Sequence, residues 1–255
     1  MVIDLFSYNG EADVLELRLN ILDQYVDKFI ICEAQTTFSG NLKLLQFEQQ
    51  RERFKKWAHK IEYFVINDEY TPEQIEEARN SKYTNGQDRW MHEYLQKEAI
   101  KYALIDVKDD DIVYVGDVDE IWEHKEPNGI EKLKLRVYTY YLNMRSSEEF
   151  WGPIRAYYKD LRDKCFNDIR NNPQYRTEDY QGWHFTNMGG LLAVKQKAID
   201  QYDNIVFNGQ IIYEGIDANF GIRDYIGRDF KLEVDEKDWP PWLVIHREEF
   251  AKLLK

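Results

Sequence analysis

Two acids separated by one apolar residue, Asp117-Val118-Asp119, close an apolar, β-branched run at 112–116, and Glu120 follows directly. In an extended chain residues two apart project to the same side, so a turn there brings both carboxylates toward one point. Hard divalent cations such as Mg²⁺ take oxygen ligands and keep substrate phosphates as further ligands. Paired carboxylates at a rigid strand end therefore suit a metal held against a diphosphate. The competing structural reading is a solvated acidic loop, or Asp119 capping a following helix. The buried run in front, and the lack of a neighbouring lysine in the sequence, favour the chemical reading.

Gly182-Trp183-His184-Phe185 offers a second group, because a neutral imidazole at His184 can serve as a third metal ligand. Its structural alternative is a histidine hydrogen-bonded inside an aromatic cluster. Asn9-Gly10 follows an apolar run at 2–7, a place where a nucleotide can approach backbone amides. Glu11 and Asp13 open the next helix, where acids suit the helix dipole without any further role. Glu93 and Lys97 stand four apart and can pair on one helix face. For a general base, the candidates are Glu178, Asp179 and Asp217. The first two lie nearest His184 in the sequence.

These groups need positioning elements. Strands are expected at 2–7, 29–33, 61–66 and 112–116, the second as a short apolar run of the kind buried in parallel sheets. Between them come amphipathic helices. Leu15, Leu19, Leu22 and Val26 recur at helical spacing, Pro72 opens a charged helix, and 88–103 carries an inward stripe of Met91, Leu95, Ala99 and Tyr102. The repeated βα pattern predicts a Rossmann-like α/β sheet with ligands at strand C-termini. Neither GxGxxG nor GxxxxGK[ST] occurs, so the usual dinucleotide and P-loop readings lack support. In the second half, 135–143 alternates like a half-exposed strand, Trp151-Gly152-Pro153 reads as a turn, and 162–180 is polar and gives no assignment.

Composition sets the bounds. With 255 residues, 43% of them hydrophobic and 32% charged, the chain is globular. No apolar run approaches the roughly 20 residues needed to span a bilayer, and a strand begins right after Met1, which predicts a cytoplasmic protein. A net charge of −13 argues against nucleic acid as partner. The 2 cysteines are too few for a disulfide framework. Aromatic residues, 7 Trp, 18 Tyr and 13 Phe, suit core packing and, in part, stacking on sugar faces. A single domain spanning 1–255 is expected, in halves 1–125 and 126–255.

The ordered set of motifs resembles glycosyltransferase family 17. It begins with Phe6, Asn9-Gly10-Glu11, Asp13, Leu15-Glu16 and Arg18-Leu19. Val26-Asp27, Phe29-Ile30, Glu33 and Thr37-Phe38-Ser39-Gly40 follow, then Trp90, Glu93 and Gln96. Asp117-Val118-Asp119-Glu120-Ile121, Tyr140-Tyr141-Leu142-Asn143, Trp151, Gly182-Trp183-His184-Phe185-Thr186 and Gly189-Gly190 complete the main series, with Pro240, Leu243 and Phe250 near the end. The resemblance implies a GT-A fold, a UDP-sugar donor such as UDP-GlcNAc, a divalent metal (Mn²⁺ or Mg²⁺), a glycan or glycoconjugate acceptor, and inversion at the anomeric carbon. It casts Asp117 and Asp119 as the metal–diphosphate motif, with Val118 between them, and His184 as the late ligand. Phe6, Ser7, Asn9 and Glu33 would flank the nucleoside, with Glu11, Glu93 and Lys97 on the donor side. The resemblance casts 1–125 as the nucleotide-sugar-binding half and 126–255 as the acceptor-side half.

Two departures stand out. Lys97 replaces an arginine usual in the family, which loses bidentate phosphate geometry. Where the family often shows Phe-Ser-His-X-Glu, this chain reads Tyr202-Asp203-Asn204-Ile205-Val206, and the divergence continues over 211–228. The missing His and Glu motivate a rival reading, a non-catalytic nucleotide-sugar- or glycan-binding domain. Paired acids at a diphosphate also suit a metal-dependent nucleotidyltransferase or phosphohydrolase.

Overall fold

The computed structural model describes residues 1–201, 216–217, 219–223 and 228–255. The segment Tyr202-Asp203-Asn204-Ile205-Val206 and most of 211–228 lie outside the described residues.

Four parallel strands form the first half: β1 (Val2–Ser7), β2 (Lys28–Ala34), β3 (Ile61–Ile66) and β4 (Ile112–Asp117), in the order β3-β2-β1-β4. β1, β2 and β4 are nearly continuous in apolar residues because both their faces are covered, whereas the edge strand β3 is only partly buried. Between them run α1 (Ala12–Leu22), α2 (Gln46–Gln50), α3 (Pro72–Asn80) and α4 (Met91–Ala99). Thr71 and Gln74 form a reciprocal cap at the start of α3, with Pro72 in its first turn. The helical run at 88–103 is α-helical only over α4 and tightens to 3₁₀ turns at both ends. That tightening alters the stripe: Ile100 and Ala103 are buried, while Tyr102 is 54% exposed and receives a hydrogen bond from Gln74.

Beyond β4 the sheet becomes mixed. The path continues β4-β7-β6-β8-β5, with β5 (Glu120–Trp122), β6 (Glu131–Thr139), β7 (Met144–Tyr157), β8 (Arg176–Thr186) and a short β9 (Leu232–Val234) on β7. Only Val118 and Asp119 separate β4 from β5, yet β5 closes the far end of the path. The sheet must curl back on itself, and the Asp117–Asp119 turn sits at the seam. Helices α5 (Tyr158–Leu161), α6 (Phe166–Asn171) and α7 (Leu191–Asp200) flank this half.

The Trp151-Gly152-Pro153 turn expected from sequence lies inside β7. The register jumps from Lys132↔Ile154 to Lys134↔Trp151, so β7 bulges here, which accommodates a proline that cannot donate to the ladder. Strand β6 ends at Thr139, short of the expected 143, and β8 (Arg176–Thr186) begins inside the unassigned polar stretch, which supplies its residues 176–180.

Candidate active site

Parallel pairing of β1 and β4 sets Ser7 beside Asp117. Ser7 Oγ donates to Asp117 Oδ1 at 2.6 Å, and Val118 N donates to Ser7 O at 3.1 Å. Underneath the turn lies a wholly buried ion pair. Arg18 Nε and Nη2 donate to Asp4 Oδ2 and Oδ1 at 2.8 and 2.6 Å, and Trp122 Nε1 donates to the same carboxylate at 2.8 Å. The remaining Arg18 nitrogen, Nη1, donates to the carbonyls of Asp117, Val118 and Glu120 at 3.1, 3.2 and 2.7 Å. One guanidinium thus fixes the backbone on which both acids are mounted.

The acids point at cations. Asp117 Oδ2 lies 3.1 Å from Arg170 Nη2 on α6 and 3.4 Å from Lys97 Nζ on α4. Asp119 Oδ2 lies 3.0 Å from Lys197 Nζ on α7 and 3.5 Å from His184 Nε2 on β8. Burial by itself raises both carboxyl pKa values, but Lys97 and Arg170 at Asp117, and Lys197 and His184 at Asp119, outweigh it. Both are held far below the usual carboxylate range. Glu120 supports the arrangement from behind: it takes hydrogen bonds from Asp117 N at 2.9 Å and from Arg170 at 2.8 and 3.2 Å. Gly116 and Gly152 make room for it, since a Cβ at Gly152 would lie 2.5 Å from Glu120 Oε1.

These groups line a cavity of about 330 Å³ that also receives Ser7, Asn9, Glu11, Lys97, Val118 and Phe38. Glu11 accepts a hydrogen bond from Asn9 N at 3.0 Å and leaves the α1 N-terminus uncapped by its side chain. Burial, foremost, raises its pKa, against the pull of Lys197.

Several residues singled out in the sequence stand elsewhere. Phe6 is a core residue with its ring under the Arg18 guanidinium. Glu33 is buried, and its carboxylate is taken up by Lys43 Nζ, Tyr63 OH and the backbone N–H groups of Gln46 and Phe47. It fixes the start of α2 and does not line the cavity. Glu93 stands behind Lys97, paired at 2.8 Å. Glu178 and Asp179 are exposed on the first half of β8, and Asp217 is exposed and paired with Lys195 at 2.6 Å. None of those three reaches the cavity lining.

Sequence reasoning missed Arg170, Lys197 and the Asp4–Arg18 pair. Asp4 inside an apolar run, and Arg18 beside the Leu15/Leu19 stripe, were the legible signals of a buried ion pair. Arg170 and Lys197 lie 53 and 78 residues beyond the acids they meet, and nothing in the sequence marks them.

For a metal, the available ligands are Asp117, Asp119 and His184. Among the described residues no group of three His, Cys, Asp or Glu side chains is closed enough to hold an ion unaided. The Nδ1 of His184 is buried without a hydrogen-bond partner, whereas a metal-bound imidazole ordinarily donates from its second nitrogen. The carboxylates are therefore the firmer ligands.

The sequence model for glycosyltransferase family 17 matches residues 1–207. Over 122 residues the chain is 27% identical to the human (Homo sapiens) beta-1,4-mannosyl-glycoprotein 4-beta-N-acetylglucosaminyltransferase, which covers 47% of this chain and 21% of that protein. The rat (Rattus norvegicus) counterpart matches equally, and the mouse (Mus musculus) counterpart is 26% identical over the same length. The match thus spans about a fifth of the length of these relatives.

Proposed function

The chain belongs to glycosyltransferase family 17, and from that premise we propose that it is an inverting, metal-dependent transferase of GT-A type. In this reading it moves N-acetylglucosamine or another hexose from a UDP-sugar to a hydroxyl of a glycan or glycoconjugate. The donor, the metal and the acceptor class come from the resemblance and from the names of the relatives. The observation that carries the site is its charge balance.

Asp117, Asp119, Glu120 and Glu93 face three cations, Lys97, Arg170 and Lys197. Even with His184 counted beside Asp119, the cations do no more than balance these carboxylates before Glu11 is considered, so the cluster has no spare positive charge for a diphosphate. A divalent cation fits that deficit, and Asp117 and Asp119 would hold it, with diphosphate oxygens and water as further ligands. When bound, such an ion supplies Lewis-acid stabilisation of the departing diphosphate.

The chain's own residues do the rest. Arg18 holds the turn rigid, so the acids keep their aim without reorganisation. With a metal on the carboxylates that now hold them, Lys97, Arg170 and Lys197 would turn their charge to the phosphates. Phe38, at the cavity wall with Lys97 Nζ 5.6 Å from its ring centre, offers an aromatic face to the nucleobase.

The test is thermal stabilisation by UDP-GlcNAc with and without Mn²⁺, since binding to the native state raises apparent stability, followed by UDP release. Asp119→Asn should abolish Mn²⁺-dependent release while the protein stays folded. Full activity in that variant, or pyrophosphate as the product, refutes the assignment.

A further inference from the structure

One stretch of the cavity wall takes no part in the charge cluster. Ser146, Glu148 and Phe150, alternate residues of β7, all line the cavity, as they must when one strand face looks inward. The Phe150 ring stacks on His184 with centroids 4.2 Å apart, and His184 Nε2 lies 3.5 Å from Asp119. The wall therefore runs from Asp119 through His184 and Phe150 to Glu148, about 7 Å further along the strand.

Here β6 and β7 slip from Arg136↔Glu149 to Tyr138↔Arg145. Glu148 lies within that bulge, and bulges commonly re-aim a side chain beside an active site. Its carboxylate accepts from Arg228 Nη1 at 2.9 Å. Phe230 and Leu232 line the same cavity and give it an apolar surface suited to the face of a pyranose ring.

We infer that Glu148 is the general base that takes the proton of the acceptor hydroxyl, beside a Phe150–Phe230 subsite for a neutral pyranoside. The inference rests on the transfer reading above. An in-line displacement needs its base across the sugar from the leaving diphosphate. Glu11 lies at the end of β1, bonded to Asn9 N at 3.0 Å next to the Ser7–Asp117 contact, and so stands on the diphosphate side. Asp200 lies on the same side as Glu11, since Asn9 joins the two, its N donating to Glu11 at 3.0 Å and its Nδ2 to Asp200 at 3.0 Å, and Glu120 lies behind the Asp117 turn, bonded to Asp117 N and Arg170.

In the step, the acceptor oxygen forms a bond to the anomeric carbon. The bond from that carbon to the diphosphate oxygen breaks, and its electron pair leaves with the nucleoside diphosphate. The hydroxyl proton passes to Glu148 and then to solvent.

The experiment uses the full chain with UDP-GlcNAc and Mn²⁺. UDP release is followed first with water as acceptor, then with p-nitrophenyl β-mannoside. Glu148→Gln keeps an oxygen for Arg228 but cannot accept the proton, so release should fall about 10²–10⁴-fold, with donor-dependent thermal stabilisation unchanged. Glu148→Asp, which retains a carboxylate, should recover part of the rate. Glu148→Gln within about threefold of an active wild type overturns the inference and leaves the transferase reading intact. A wild type that neither binds nor cleaves any nucleotide-sugar sinks both.

Discussion

The Asp4–Arg18 pair allows stability and catalysis to be separated. Both side chains are wholly buried and joined by two hydrogen bonds. Arg18→Met leaves a buried carboxylate facing only Trp122 Nε1, and removing one partner of a buried pair costs about 3–5 kcal/mol. Three carbonyls of the turn lose their shared donor, each a group worth about 1–3 kcal/mol when left unsatisfied. These losses belong to one network and do not add simply, so we expect destabilisation of about 4 kcal/mol or more, read as a lowered urea midpoint.

The double variant Asp4→Leu/Arg18→Met removes both charges. Apolar replacement of a buried pair is often neutral or stabilising, so much of the lost stability should return. The carbonyls of Asp117, Val118 and Glu120 stay without their anchor, so UDP release should remain at least about tenfold below wild type, equivalent to about 1.4 kcal/mol in the barrier. A single variant within about 1 kcal/mol of wild type, or a double variant with full activity, refutes the role given to Arg18.

Three further outcomes follow from the same contacts. Gly152→Ala places a Cβ 2.5 Å from Glu120 Oε1. It should cost about 1–3 kcal/mol of stability and weaken donor binding through Glu120 and Arg170, checked by urea melts and donor titration. Lys197→Met removes the cation 3.0 Å from Asp119; Mn²⁺ affinity without donor should rise about tenfold while donor affinity falls, and unchanged Mn²⁺ affinity in an EPR titration contradicts this. Burial, with help from Arg176 and Arg170, pushes the Lys132 ammonium down to about 8, against about 10.4 in the unfolded chain. The unfolded state then binds more protons between those values. Lys132 therefore adds stability that is complete above about pH 10.4 and lost as pH falls through about 8. Lys132→Met should abolish that increment between about pH 7.5 and about pH 9.5, measured by urea midpoints at both.

Much of the first half was legible because parallel strands buried on both faces leave continuous apolar runs, and β1, β2 and β4 lie where those runs do. The second half hides its strands for physical reasons. The first residues of β8, with Arg176, Glu178 and Asp179 exposed, have no apolar alternation to detect. Strand β7 carries Gly152 and Pro153 because it bulges around Glu120, and a bulge reads locally as a turn. The site followed the same division. Asp117 and Asp119 stood out as acids closing a buried run, and the lack of a lysine nearby in sequence suggested an open anionic pair. In space the pair is well supplied with cations, each from an element that sequence distance conceals.

On the proposed reading, that supply would let one turn serve two kinds of ligand. Asp117 is met by Lys97 from α4 and Arg170 from α6, while Asp119 is met by Lys197 from α7, which follows the Asn187, Gly189 and Gly190 turn with its positive φ angles. Because these cations hold both carboxyls ionised, the acids remain ready ligands across the whole working pH range. Their contribution to stability is complete above the carboxyl pKa of the unfolded chain and is lost as pH falls from there through their depressed folded values. Any loss of turnover on mild acidification must therefore arise from another group. A metal that engages the carboxylates frees ammonium and guanidinium charge for the phosphates, so metal and donor should bind more tightly together than apart. The three helices that carry those cations then become the elements whose placement the donor senses.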